Sequence, residues 1–98
     1  MEVRFENETL KRLESDATFT AGLDGALVKA FRKRMQLIRA APDERVFYAM
    51  KSLHYEKLKG DRAHQRSMRL NDQWRLILRL EEDETGKLVV IVSIADYH

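Results

Sequence analysis

Met68 and Leu70, and then Trp74, Leu76, Leu78 and Leu80, place an apolar side chain at every second residue on either side of Asn71-Asp72-Gln73. This alternation constrains the fold more tightly than anything else in the chain. Strand side chains alternate between the two faces of a sheet, so these six residues share one face only if directly paired positions match in orientation. A two-residue turn at Asn71-Asp72 would pair Arg69 with Trp74 and split the apolar set between faces. A three-residue loop, Asn71-Asp72-Gln73, instead pairs Leu70 with Trp74, Met68 with Leu76, and Arg69 with Arg75. Unless a bulge shifts the count, the odd loop is the one consistent with a single core. It also sets Arg69 and Arg75 opposite each other on the non-helical face.

The rest of the chain supplies what that face packs against. Val3 and Phe5 alternate in a short strand, residues 2–5. Asn7 is placed to cap a brief helix carrying Leu10 and Leu13, which fades at Ser15-Asp16. Residues 17–22 read as a loop. Leu27, Phe31, Met35 and Ile38 fall on one face of a helix from Asp24 to Ala40, with Lys29, Arg32, Lys33 and Arg39 on the rest of its surface. Pro42 stops it, having no N–H and a ring that clashes with the preceding turn. Asp43 to Met50 reads as a further helical turn.

After Leu53 the period changes to alternation, with strands predicted at 66–70, 74–81 and 87–95. The run KLVVIVSIA is apolar on both faces, as a central strand requires. The order β-α-α-β-β-β predicts an α+β fold, an N-terminal strand and two helices packed on one face of a small antiparallel sheet.

A chain of 98 residues is expected to be a single domain, residues 1–98. Without cysteine it has no disulfide framework and no thiolate metal site. The N-terminus lacks an apolar signal core, and the apolar run Leu88 to Ala95 is broken by Ser93 and too short for a bilayer, so a soluble, cytoplasmic protein with no membrane partner is expected. The net charge of +2 is unevenly spread: residues 29–79 hold fourteen basic and five acidic side chains, a balance of +9, between acidic ends. Such a segment suits a surface facing a polyanion, or simply a solvated helix face with scattered lysines.

Directly opposed like charges destabilise a sheet by a few tenths of a kcal/mol to about 1. Arg69 and Arg75 are tolerable together if an anion binds between them, and two guanidinium forks suit phosphate oxygens. The alternative is neutralisation by Asp72, Asp61 or Glu56. The sequence also offers three histidines, His54, His64 and His98, the last directly after Asp96 and Tyr97 at the end of the central strand. Were that strand end close to the arginines, the pieces would match RNA transesterification. One group takes the 2′-OH proton, cations stabilise the phosphorane, and another group protonates the leaving 5′-oxygen. An imidazole suits such transfers because its unperturbed pKa is about 6.5. No metal or cofactor is called for. There is no phosphate-binding glycine loop and no zinc or calcium ligand spacing, and the acidic run Glu81 to Glu84 reads as a solvated hairpin tip.

LKGDR (58–62), SMRLNDQWRL (67–76) and the terminal DYH (96–98) together resemble the HigB-type toxins of the RelE/ParE superfamily. The resemblance implies a small α+β toxin of a type II toxin–antitoxin pair that cleaves mRNA in the ribosomal A site as a metal-independent endoribonuclease. It implies a cognate HigA-like helix-turn-helix antitoxin, with operator DNA reached only through that antitoxin. Carried over by position, Arg69 and Arg75 match basic residues that hold the scissile phosphate, with Arg75 counted among the catalytic groups. Lys59 matches the loop lysine, with Arg62 beside it as a further phosphate ligand. Asp96, Tyr97 and His98 match the C-terminal catalytic set.

His54 is similar to a histidine just upstream of the loop lysine, although HYEKLKG is two residues longer than the family spacing. His64, Gln65 and Arg66 stand where many relatives have a glycine and, soon after, an aromatic. The resemblance leaves a second function on the same fold, a non-catalytic ParE-like inhibitor of DNA gyrase, which would give the terminal Asp-Tyr-His no role. A third is a toxin that has lost its activity and still holds an antitoxin on DNA. The helix face around Lys29, Arg32 and Lys33 could meet an acidic antitoxin segment or ribosomal RNA. Trp74 is expected in the core.

Overall fold

The computed structural model describes residues 1–84 and 86–96. Strand β1 (Glu2–Phe5) leads into helix α1 (Glu8–Ser15), α2 (Gly25–Ala40) and the short α3 (Arg45–Ala49), followed by a 3-10 turn over Lys51–Leu53. Strands β2 (Glu56–Lys57), β3 (Gln65–Arg69), β4 (Trp74–Asp83) and β5 (Gly86–Asp96) complete a five-stranded sheet in the order β1-β5-β4-β3-β2. The α+β prediction holds, with the alternating strands and the 3.6-period helix within a residue or two of where the sequence put them. The Asn7 side chain accepts from the Leu10 N–H at 2.9 Å and caps α1, while Asp24 does the same for α2 through Ala26 at 3.1 Å.

Two parts of the sheet differ from the sequence reading. β1 adds to β5 in parallel, Val3 beside Val89 and Phe5 beside Ile91, so the sheet is mixed rather than wholly antiparallel. β2 is an extra, two-residue edge strand paired with β3, Glu56 with Ser67 and Lys57 with Arg66.

The apolar alternation does what its parity demands. Met68 pairs with Leu76 and Arg69 with Arg75, and the Leu70 N–H donates to the Trp74 carbonyl at 2.9 Å across the three-residue loop. Met68, Leu76 and Leu78 are fully buried against Phe31, Met35 and Ile38 of α2 and Phe47 of α3. Trp74 lies at the margin of this core and is only partly buried. Between Ile77 and Leu78 the β4–β5 register slips by one, Ile77 facing Ser93 and Leu78 facing Ile91, which bulges β5 at Val92. The bulge lets Val89 and Ile91 on one side of it and Ile94 on the other share the helix-packed face.

Arg32 is a correction to the basic helix face. Its guanidinium donates to three main-chain carbonyls, those of Leu13, Asp16 and Phe19, each at 3.0 Å. It fastens the segment after α1 to α2, which leaves Lys29 and Lys33 as the exposed cations of that face.

Asp43, just before α3, accepts from Arg45 through both its side chain and its backbone N–H, which pulls its pKa from the ordinary 3.8 to about 2. Asp16 is lowered as well, chiefly by hydrogen bonds from the Thr18 side chain and N–H. A depressed carboxylate pKa adds stability that is present above the ordinary value and lost as pH falls through the folded one. We therefore expect a shallow loss of stability between pH 3.8 and about 2, flattened in Asp43→Asn; acid unfolding followed by circular dichroism checks it.

Candidate active site

In antiparallel pairs the hydrogen-bonded and non-hydrogen-bonded positions alternate. Leu70 and Trp74 are hydrogen-bonded across the loop, so the next pair, Arg69 and Arg75, is of the non-hydrogen-bonded kind, in which side chains approach most closely. The two guanidinium groups thus leave the same patch of the sheet face turned away from the helices. Arg69 forms an ion pair with Asp72 of the loop and donates from Nε to the Asn71 carbonyl at 3.3 Å. Asp72, one of three carboxylates considered as neutralisers, is therefore an Arg69 partner. Its side chain is 97% exposed, so an incoming anion competes with a solvated carboxylate rather than a buried one.

Arg75 donates from Nη1 to the carbonyl of His54 at 3.3 Å. His54 is exposed and left-handed, φ 46° and ψ 46°, at the end of the 3-10 turn. This conformation costs a non-glycine residue of order 1–3 kcal/mol unless its surroundings hold it. Here the bend turns the His54 carbonyl to the arginine and sends the chain into β2. The structure thus joins His54, Arg69 and Arg75, which lie far apart in sequence.

The loop cations are placed elsewhere on the same side. Arg62 donates to the Gln65 side chain at 3.1 Å, and the Leu58 N–H donates to the Gln65 carbonyl at 3.1 Å. Lys59 and Arg62, both exposed, therefore flank the start of β3. Four residues of strand, roughly 13 Å, separate that point from Arg69. They form a second basic group rather than part of the arginine pair. His64 is exposed in the turn before β3. Glu44 braces both ends of this segment, accepting from the Tyr55 hydroxyl at 2.6 Å and from Arg66 Nε at 3.2 Å. Burial, with the Glu44 hydrogen bond, raises the Tyr55 pKa, so the phenol stays protonated.

Asp96 is paired with Trp74, and Ala95 with Arg75, so alternation puts Asp96 one residue out of step with Arg75. Gln73 Nε2 donates to the Asp96 carboxylate at 3.2 Å. Tyr97 and His98 lie outside the described residues. No group of three or more potential metal ligands occurs among the described residues. A recess of about 450 Å³ lies away from the arginine pair, lined by Val3, Phe5 and the Glu14–Arg39 ion pair among others.

One residue of this site escaped the sequence reading. Arg34 of α2, in a helix already rich in surface cations, donates from Nε to the main-chain carbonyl of Arg69 at 2.9 Å. Its position, adjoining the Phe31, Met35 and Ile38 stripe, was the available signal.

The sequence matches the model of HigB-like toxins, described as RelE-like toxins of the type II toxin–antitoxin system HigB, over residues 3–98. The chain belongs to this family. It is thus a toxin of a type II toxin–antitoxin pair, and the family implies an antitoxin partner. A RelE-like match does not favour the gyrase-inhibitor alternative.

Among solved structures, a YoeB/ParE toxin from Agrobacterium tumefaciens aligns with a TM-score of 0.66 at 17% identity over 100% of both chains. A mutant of YafQ from E. coli aligns with a TM-score of 0.58 at 14% identity over 97% of this chain and 91% of the other. A copper-bound mutant toxin from Helicobacter pylori gives 0.56 at 11% identity over 99% and 94%. These likenesses bear on the fold. No curated protein sequence matches the chain significantly. Among the described residues no helix is long and apolar enough to cross a membrane.

Proposed function

We propose that this HigB-like toxin is a metal-independent, ribosome-dependent mRNA endoribonuclease acting at A-site codons. The observation that carries the reading is the Arg69–Arg75 non-hydrogen-bonded pair, with the His54 turn bonded to Arg75. Two like charges facing each other at closest approach are costly to an empty sheet and well suited to a phosphate that shares negative charge among its oxygens. The 2′-hydroxyl loses its proton to a base and attacks phosphorus. The bond to the 5′-oxygen breaks, and that oxygen is protonated, leaving a cyclic phosphate and a free 5′-hydroxyl. Arg75, with Arg69, stabilises the extra charge of the phosphorane, where preorganised donors are worth most. His54, Asp96, Tyr97 and His98 are the candidates for the two proton transfers. Lys59 and Arg62 guide RNA past the start of β3. A HigA-like helix-turn-helix antitoxin would neutralise the toxin and carry it to operator DNA.

The test is to map cuts on a defined mRNA using purified protein with and without programmed ribosomes. Two variants run beside it, a truncation lacking Tyr97 and His98, and His54→Gly, which keeps the left-handed turn while removing the imidazole. Cuts are expected at A-site codons only with ribosomes, lost on truncation and weakened in His54→Gly. Absence of cuts under both conditions would overturn the reading.

A further inference from the structure

We infer that Arg34 is a third phosphate ligand of the arginine site, binding the RNA phosphate next to the one held by Arg69 and Arg75. This rests on the RNA reading above. β2 pairs with β3 only at Ser67 and Arg66, so the outward edge of β3 at Arg69 has no strand beside it. Arg69 sits in a non-hydrogen-bonded pair with Arg75, and its carbonyl therefore points to that bare edge. Arg34 reaches in from α2 and takes it, Nε to O at 2.9 Å.

The three cations consequently form a row across the strands: Arg75 on β4, Arg69 on β3 and Arg34 beyond the edge. Among the described residues the bond to Arg69 is the one hydrogen bond Arg34 makes, and both terminal amino groups lack a protein acceptor. Among the described residues no fully buried side-chain nitrogen or oxygen is left unpartnered, so these amino groups keep some contact with solvent although Arg34 as a whole is half-buried. Arg34 and Arg69 together have one ion-paired carboxylate, the exposed Asp72. By contrast, Arg79 on the same sheet face is matched by both Glu6 and Glu81. Burial and the neighbouring Arg69 charge lower the Arg34 pKa, the direction expected of a cation without a counter-charge.

Arg34→Gln separates ligand from brace, because the glutamine amide nitrogen falls at the chain position of Nε and keeps a donor for the Arg69 carbonyl. Binding of a short single-stranded oligoribonucleotide is measured over a salt series for the unaltered protein, Arg34→Gln and Arg34→Lys. Each phosphate contact on a single strand contributes about 0.7 to the slope of log K against log salt. The slope is expected to become shallower by about 0.7 in Arg34→Gln and to stay unchanged in Arg34→Lys. An unchanged slope in Arg34→Gln would overturn the inference and leave the RNA reading standing. No binding by the unaltered protein would overturn the inference as well, while the RNA reading stands or falls separately on cleavage with programmed ribosomes.

Discussion

Arg75→Ala is expected to cut ribosome-dependent mRNA cleavage by about 10²–10³-fold while leaving the protein folded. The two effects separate because Arg75 meets the sheet and the RNA through different physics. Toward the sheet it is a like charge directly across from Arg69, a contact that costs a few tenths of a kcal/mol to about 1. Removing it relieves that repulsion and gives up its favourable contacts, among them a long hydrogen bond to an exposed turn, 3.3 Å to the His54 carbonyl. These changes oppose each other, and the net shift in stability should stay within about 1 kcal/mol, or roughly 4–8 °C in Tm for a chain of this size. Toward a phosphorane, by contrast, the guanidinium is an aimed fork whose loss nothing on the surface replaces. Arg75→Lys should recover only part of the activity, since a point charge lacks the bidentate geometry. Cleavage assays on programmed ribosomes beside thermal melts of the same preparations decide it. An Arg75→Ala protein that melts normally and still cleaves at the full rate would remove Arg75 from the chemistry.

That arginine pair was legible in the sequence because parity is a strict rule. Six apolar residues alternating about a three-residue loop admit one register with a common core, and Arg69 had to meet Arg75. Helix α2 was legible for the same reason, a period carried over sixteen residues and closed by Pro42. The missed features are those without a period to betray them. β2 is two residues long and wholly polar, Glu56-Lys57, and exists because Leu58 and Tyr55 are held on either side of it by Gln65 and the Glu44 network. The parallel docking of β1 on β5 joins opposite ends of the chain. The bulge at Val92 is hidden because its strand is apolar on both faces, and shifting an apolar run by one residue leaves the pattern unchanged. Arg32 and Arg34 are both cations flanking the apolar stripe of α2, on opposite sides of it, yet one ties down the chain after α1 and the other reaches the edge of β3. Their targets are carbonyl oxygens, which every residue owns and no sequence marks.

Leu78→Ala is expected to cost about 2–5 kcal/mol, the other large effect, and to abolish toxicity by a different route. Leu78 is fully buried on β4, flanked in register by Arg66 on β3 and Ile91 on β5, with the stripe of α2 packed over this face of the sheet. Nothing near it can collapse easily into the space left, since β4 is held on both sides by ladders. A domain of this size has only about 5–15 kcal/mol of net stability, so the variant should melt roughly 10–30 °C lower. Met68→Ala and Leu76→Ala belong with it, each fully buried on the same face. Loss-of-toxicity variants along β3 and β4 should therefore alternate in kind. Substitutions at 68, 76 and 78 should give low-melting or insoluble protein, while those at 69 and 75 give stable protein that does not cleave. Growth assays scored against soluble yield and Tm for each position would read that two-residue period directly. Equal destabilisation at Arg75 and Leu78 would contradict the division of one hairpin into a structural face and a chemical one.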